Sequence, residues 1–215
     1  MKRIILIILA LLCAAQVFAQ NGVIKEFVGT VEIKRAGQAD FSSAKPGDTV
    51  AKDTVISTGF KSTALVSVGN TVLTVRPLTR LTLAEISASA ESETLSVNIQ
   101  TGRVRVEVKP PAGTKAHTTV SSPTVTASVR GTSFEFDTQR LSVLDGTVVF
   151  AGNRGGLMLV STGSTSEVRN NGRVADPIET YAAELLPPPV AGNDSGFNRG
   201  SSAVYGEFRL IIEIH

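Results

Sequence analysis

The sequence predicts an all-β fold, and three observations lead to that prediction. From Gly22 to about Val174 apolar residues alternate with polar ones at a period of two, as where Val104, Val106 and Val108 alternate with charged residues. The apolar positions are rich in valine and isoleucine, with threonine between them, which suits strands with one wet face. Turn signals of glycine, asparagine and aspartate recur about every 8–12 residues, the spacing of a many-stranded domain.

The first 19 residues have the pattern of a removable export signal. Lys2 and Arg3 form a positive end, residues 4–15 are an apolar run, and cleavage is expected between Ala19 and Gln20. The run is shorter than the ~20 residues that cross a bilayer, so we expect no transmembrane segment after signal removal.

A lipoprotein signal modified on Cys13 is the competing interpretation, although Leu12 stands where a small residue is usual. Removing the signal also removes the sole cysteine and leaves 19 basic and 19 acidic residues. This balance argues against a nucleic-acid partner, and a cysteine-free chain has neither disulfides nor thiolate chemistry. We expect an exported protein, either periplasmic or extracellular.

Weak internal repetition suggests how the strands are arranged. The segment 95–106 resembles 141–150, since both read Leu-Ser-Val, then a glycine turn, then alternating valines, and 29–33 is a shorter echo. Stacked strand–turn–strand units favour a β-solenoid or rolled sheet of many short strands. A β-sandwich of hairpins, whose turns give similar echoes, is the alternative.

A series of short motifs follows in a fixed order along the chain. They are Gly29-Thr-Val-Glu-Ile, Pro46-Gly-Asp-Thr-Val, Asp53-Thr-Val-Ile-Ser-Thr-Gly59, Ser62-Thr-Ala-Leu-Val, Leu95-Ser-Val with Thr101-Gly-Arg-Val-Arg-Val, Ser122-Pro-Thr-Val-Thr-Ala-Ser-Val-Arg-Gly-Thr-Ser-Phe134, and Leu141-Ser-Val-Leu-Asp-Gly-Thr-Val. Over residues 22–151 this order resembles the FecR domain family, named for periplasmic regulators that relay iron–siderophore signals to a sigma factor. The resemblance implies an all-β, solenoid-like extracytoplasmic domain for protein interaction or sensing, without an established catalytic site.

The chain departs from those regulators at its start. They carry a cytoplasmic part that contacts the sigma factor, followed by a transmembrane helix, whereas here an export signal directly precedes the domain. We therefore expect no direct sigma-factor contact. The expected partner is another envelope protein or a cell-wall polymer.

Four basic residues are candidate ligand or partner contacts. Arg103, Arg105 and Lys109 would share one strand face, interrupted by Glu107, and could meet an anionic glycan or an acidic protein patch. Arg130, beside a flexible turn, could hold a small carboxylate ligand with paired hydrogen bonds. The structural alternatives are a solvated strand face for the first three, and for Arg130 a cap on a carbonyl or a pair with an acid.

The resemblance also implies a set of motif residues whose role is structural. Gly131 would supply a backbone conformation closed to other residues, and Thr132 would restart the strand. The full set is Gly59, Gly102, Pro123, Arg130, Gly131, Thr132 and Gly146.

The sequence offers little for catalysis. His117 is the one internal histidine of the mature chain, and a hydrolase built around it is the least favoured function. No metal-ligand spacing and no phosphate-binding loop is present, so we expect neither an enzyme nor a cofactor.

The end of the chain is organised differently from the domain at 22–175. Asp176 and Pro177 are typical of a helix start, which predicts a short helix over 176–186. A Pro/Gly/Ser-rich linker follows over 187–206, and an apolar strand over 207–215. That strand must pair, either by folding back on the domain's own edge or by adding to a partner's sheet.

Overall fold

The computed structural model describes residues 21–89, 92–111 and 113–178. This part of the chain is all-β, as predicted. The export signal, nearly all of the helix expected over 176–186, the linker over 187–206 and the strand over 207–215 lie outside the described residues. Within the described ranges no helix has the length and apolarity to cross a membrane.

Short strands with alternating burial build the fold. In chain order they are β1 (Gly22–Val28), β2 (Val31–Lys34), β3 (Ser42–Ser43), β4 (Thr49–Val50), β5 (Val55–Thr58), β6 (Thr63–Val68), β7 (Thr71–Val75), β8 (Arg80–Ala88), β9 (Ser92–Thr101), β10 (Arg103–Val108), β11 (Lys115–Ser121), β12 (Val125–Val129), β13 (Ser133–Asp137), β14 (Arg140–Asp145), β15 (Thr147–Gly152), β16 (Leu157–Ser161) and β17 (Thr165–Glu167).

These strands form two sheets. Sheet A has eight strands in the order β17-β14-β13-β10-β7-β6-β1-β4, and sheet B has nine in the order β16-β15-β12-β11-β9-β8-β5-β2-β3. Neighbours pair antiparallel except β9 and β11, which are parallel. In both sheets the strand order largely follows the chain, so that successive hairpins add to one growing edge.

The two sheets share one core. The inner residues of both belong to a single buried cluster, and the rings of Phe136 in sheet A and Phe150 in sheet B meet edge to face at 6.3 Å. Thr71 of sheet A and Thr118 of sheet B also approach, with 3.4 Å between their hydroxyl oxygens. This arrangement fits the sandwich alternative, and the solenoid that the sequence favoured is not what the pairing shows.

The internal sequence repeats mark crossovers between the two sheets and not the corners of a solenoid. Gly29, Gly102 and Gly146 each lie where the chain passes from one sheet to the other, between β1 and β2, β9 and β10, and β14 and β15. A strand–glycine–strand repeat is locally the same in a solenoid corner and in such a crossover. Only the choice of pairing partner separates the two, and that choice is not local.

Candidate functional site

Strand β10 places the predicted arginines on the outer face of sheet A. Val104 and Val106 are fully buried on the inner side, so Arg103, Arg105 and Glu107 point outward. Lys109 follows the end of the strand and is exposed.

Glu107 pairs with two of these cations. Its Oε1 lies 3.1 Å from Arg105 Nε, and its Oε2 lies 3.6 Å from Lys109 Nζ. The acid that interrupts the basic stripe in the sequence therefore partly neutralises it in the structure.

Neighbouring strands supply further carboxylates. The register of β10 against β13 sets Arg103 opposite Asp137, and Arg103 Nη2 lies 3.4 Å from Asp137 Oδ2. Arg76, which follows β7, brings its Nε to 3.1 Å from Glu135 Oε1, also on β13. We call this surface of alternating charge the ionic face. It consists of Arg76, Arg103, Arg105, Glu107, Glu135, Asp137, Arg140 and Glu167.

A cleft of about 700 Å³ opens at one end of the ionic face. A smaller hollow of about 130 Å³ adjoins it and shares Arg103, Glu135 and Asp137 with it. Cations and carboxylates alternate along this cleft, so it presents both signs of charge to a ligand or partner. Its lining is Arg76, Pro77, Gly102, Arg103, Glu135, Asp137, Thr138 and Gln139.

Arg130 lies elsewhere, on the outer side of sheet B. It is exposed and makes no hydrogen bond or ion pair with any described residue, so the expected carbonyl cap or acid partner is not found there. A shallow cleft of about 370 Å³ contains it together with His117, Ser128, Val129, Thr147 and Val149. No carboxylate is among these lining residues, so the cleft does not assemble a Ser-His-Asp arrangement.

The Arg-Gly-Thr motif forms the crossover from β12 to β13. Gly131 has a φ of +71°, a conformation that favours glycine, and Thr132 is buried immediately before β13. The backbone carbonyl of Thr132 accepts a hydrogen bond from the Val108 N–H at 2.9 Å. The motif thus joins the end of β10 to the start of β13.

The crossover glycines pack against buried hydroxyl residues. A Cβ added to Gly102 would stand 2.3 Å from Thr79 Oγ1, and one added to Gly146 would stand 2.6 Å from a methyl of Thr132. Gly59 donates its N–H to the Thr30 carbonyl at 2.9 Å, in the crossover between β5 and β6.

Pro123 lies in the hairpin between β11 and β12 and is exposed. Its carbonyl accepts a hydrogen bond from Asn153 Nδ2 at 2.9 Å. The buried member of this turn is Ser122, whose Oγ donates to the Thr138 carbonyl at 2.9 Å and accepts the Val125 N–H at 3.2 Å.

Of the ionic face, sequence reasoning named Arg103, Arg105 and Glu107, and it missed Arg76, Glu135, Asp137, Arg140 and Glu167. A signal did exist, because Glu135 and Asp137 alternate with the buried Phe134 and Phe136 and so must point outward. What local pattern could not provide was the adjacency of this strand to β10.

Comparison with known families bears on this two-sheet domain. Residues 54–149 match the family model described as FecR protein. This part of the chain is consistent with a FecR-family domain. The match begins just before β5 and ends within β15, so it is shorter than the 22–151 over which the resemblance was expected, while β1 to β4 belong to the same two sheets.

Two crystal structures of a candidate anti-sigma factor from Parabacteroides distasonis are similar to the chain. The first is 19% identical in sequence, and the match covers 56% of this chain and 57% of the crystallised chain. The second is 17% identical, and the match covers 60% of this chain and 64% of the crystallised chain. Both have a TM-score of 0.46, and this chain spans less than two thirds of either. No curated protein sequence matches the chain significantly.

Proposed function

We propose that this protein is an exported, non-catalytic FecR module that acts in regulation or signalling by binding another envelope protein through the ionic face. The FecR match supports a regulatory or signalling module. The observation that carries the choice of surface is the alternation of arginine and carboxylate around the cleft of about 700 Å³.

The charge pattern favours a protein over an anionic polymer as the partner. Each arginine of the ionic face has a carboxylate within 3.4 Å, so a polyanion approaching it would meet acids as well as cations. A protein surface can present both signs in a complementary arrangement, which gives selectivity and faster association. A cell-wall polymer is the weaker candidate on this ground.

The location of the module belongs to the same proposal. The export signal predicted over residues 1–19 supports a location in the periplasm or beyond, where a direct sigma-factor contact is not expected. Any link to transcription would then pass through its partner.

Crosslinking in the native envelope, followed by identification of the captured protein, tests the proposal. Arg103→Glu would set a negative charge beside Asp137 and reverse part of the ionic face. Arg35→Glu is the matched control, because Arg35 makes a comparable 3.4 Å ion pair with Asp48 outside the ionic face, and the two arginine side chains are 42% and 53% exposed.

We expect Arg103→Glu to lower the crosslinked yield by about tenfold or more, the effect of losing at least ~1.4 kcal/mol of binding free energy. Arg35→Glu should keep the yield. Equal yields from both variants, with unchanged thermal unfolding, would remove the ionic face from the proposal.

A small anionic ligand at Arg130 is the second candidate. Arg130 has no partner among the described residues and shares its cleft with the hydroxyls of Ser128 and Thr147, which suits a carboxylate or phosphate. If citrate or inorganic phosphate raised the unfolding temperature of the native protein but not of Arg130→Ala, this function would move ahead. A hydrolytic activity lost in His117→Ala would displace both binding functions.

A further inference from the structure

Strand β16 is an unusual edge for a sheet in a monomer. It is the outermost strand of sheet B within the described residues, and its sequence Leu-Met-Leu-Val-Ser contains no charge and no proline. Leu157 is 67% exposed and Leu159 is 62% exposed on its outer face. Sheet edges are normally protected from other chains by charged residues, proline, bulges or very short strands.

The other edges of the two sheets are protected because their terminal strands are very short. Sheet B ends at its other side in β3, sheet A ends in β4 and β17, and these strands have two, two and three residues. With five residues, β16 is the longest of the four terminal strands of the described sheets.

The direction of its backbone groups follows from the pairing with β15. The Gly152 N–H donates to the Gly156 carbonyl at 3.0 Å, and the Thr162 N–H donates to the Gly146 carbonyl at 3.0 Å. Hydrogen-bonded pairs alternate along an antiparallel ladder, so Met158 and Val160 point their backbone groups at β15. Leu157 and Leu159 must then direct theirs at the open edge, as must Ser161, whose carbonyl also accepts the Ser164 N–H at 3.0 Å.

We propose that β16 is a self-association edge, at which two copies of this chain pair antiparallel about a two-fold axis through Leu159. In this register Leu159 faces Leu159 of the second copy, and Leu157 faces Ser161. Every outward N–H and C=O of the strand then has a partner. On the inner face Met158 lies opposite Val160 of the second copy, which continues the apolar core from one molecule to the next.

Self-complementarity favours a second copy over an unrelated partner. A two-fold interface brings the same patch against itself, so any charge on the strand would meet its like, and β16 carries none.

Analytical ultracentrifugation of the mature protein at increasing concentration tests this proposal. Leu159→Pro removes only an outward N–H, which an edge strand tolerates, and Leu159→Lys sets two positive charges against each other at the axis. Leu144→Lys is the matched control, because Leu144 is also exposed but lies on β14, which is flanked on both sides within sheet A.

The expected result is a species of twice the mature mass for the native protein and for Leu144→Lys, and a monomer for both Leu159 variants with unchanged circular dichroism. A native protein that stays monomeric at every concentration would overturn the proposal. A dimer that persists in both Leu159 variants would overturn it as well. A monomer that dimerises only when truncated after Pro189 would also count against it, since a segment of the same chain would then be the occupant. The crosslinking of the ionic face is read out separately, so either proposal can fail alone.

Discussion

At the scale of single residues, the crossovers depend on a glycine and a buried hydroxyl that fit together. Gly102 has a φ of +88°, and Thr79 occupies the space where its side chain would be. Thr79 Oγ1 accepts the Arg103 N–H at 2.9 Å and lies 3.0 Å from the Arg103 carbonyl, to which it donates. One threonine therefore satisfies both backbone groups of the residue that starts β10.

Gly102→Ala should be strongly destabilising. Left-handed backbone costs an L-residue about 1–2 kcal/mol, and the clash with Thr79 adds the ~1–3 kcal/mol typical of overpacking. Gly163→Ala separates the two causes, because Gly163 has a φ of +77° but nothing within 4 Å of its Cβ position. Urea unfolding should show the larger loss for Gly102→Ala, and equal losses would mean that the packing against Thr79 is unimportant.

Thr79→Val should cost about 0.5–1.5 kcal/mol of unfolding free energy, since it removes the hydroxyl that accepts the Arg103 N–H, while the Arg103 carbonyl keeps its hydrogen bond from the Arg76 N–H. Thr132→Val should be neutral or slightly stabilising, because Thr132 Oγ1 is buried and none of the described residues forms a hydrogen bond with it. The same isosteric change thus has opposite expected outcomes at two crossovers. Chemical denaturation of both variants checks this, and a large loss for Thr132→Val would contradict it.

At the scale of elements, hairpins add in chain order to each sheet, and the crossovers carry the chain between the sheets. The contact of Phe136 on β13 with Phe150 on β15 joins the two sheets directly. Both rings are fully buried, so they belong to the shared core and not to one sheet alone.

A double-mutant cycle of Phe136→Leu and Phe150→Leu should give a coupling free energy of about 0.5–1.5 kcal/mol, as expected for an edge-to-face pair. Phe134→Leu with Phe150→Leu serves as the control, because Phe134 is equally buried on the same strand but makes no ring contact with Phe150. Additive losses in the first cycle would show that the two sheets do not meet at these rings.

At the scale of the whole molecule, the predicted removal of the export signal would change the charge balance. Loss of the signal would leave equal numbers of acidic and basic residues, and on the described domain those of the ionic face pair with one another. Such a surface suits selective protein contacts better than general attraction to polyanions.

The protein extracted from the cell envelope should have the intact mass of residues 20–215. Replacing the small residue before the cleavage site, as in Ala19→Arg, should cause the uncleaved chain to accumulate. A native protein that keeps Met1, or that carries a lipid on Cys13, would contradict the predicted cleavage between Ala19 and Gln20.

Local pattern was enough to predict the all-β class, the strand alternation and the positions of turns such as Gly102 and Gly146. These features follow from short-range sterics and from a period-two burial pattern, both of which operate within a few residues. Local pattern could not predict which strands pair with one another. Arg76 and Glu135 are 59 residues apart in the chain. Their 3.1 Å contact arises because β10 pairs with β7 on one side and with β13 on the other. For the same reason the local pattern favoured a solenoid, whereas the tertiary structure has two facing sheets. Strand partners are selected by packing in the shared core, and the turns that precede the strands do not determine them.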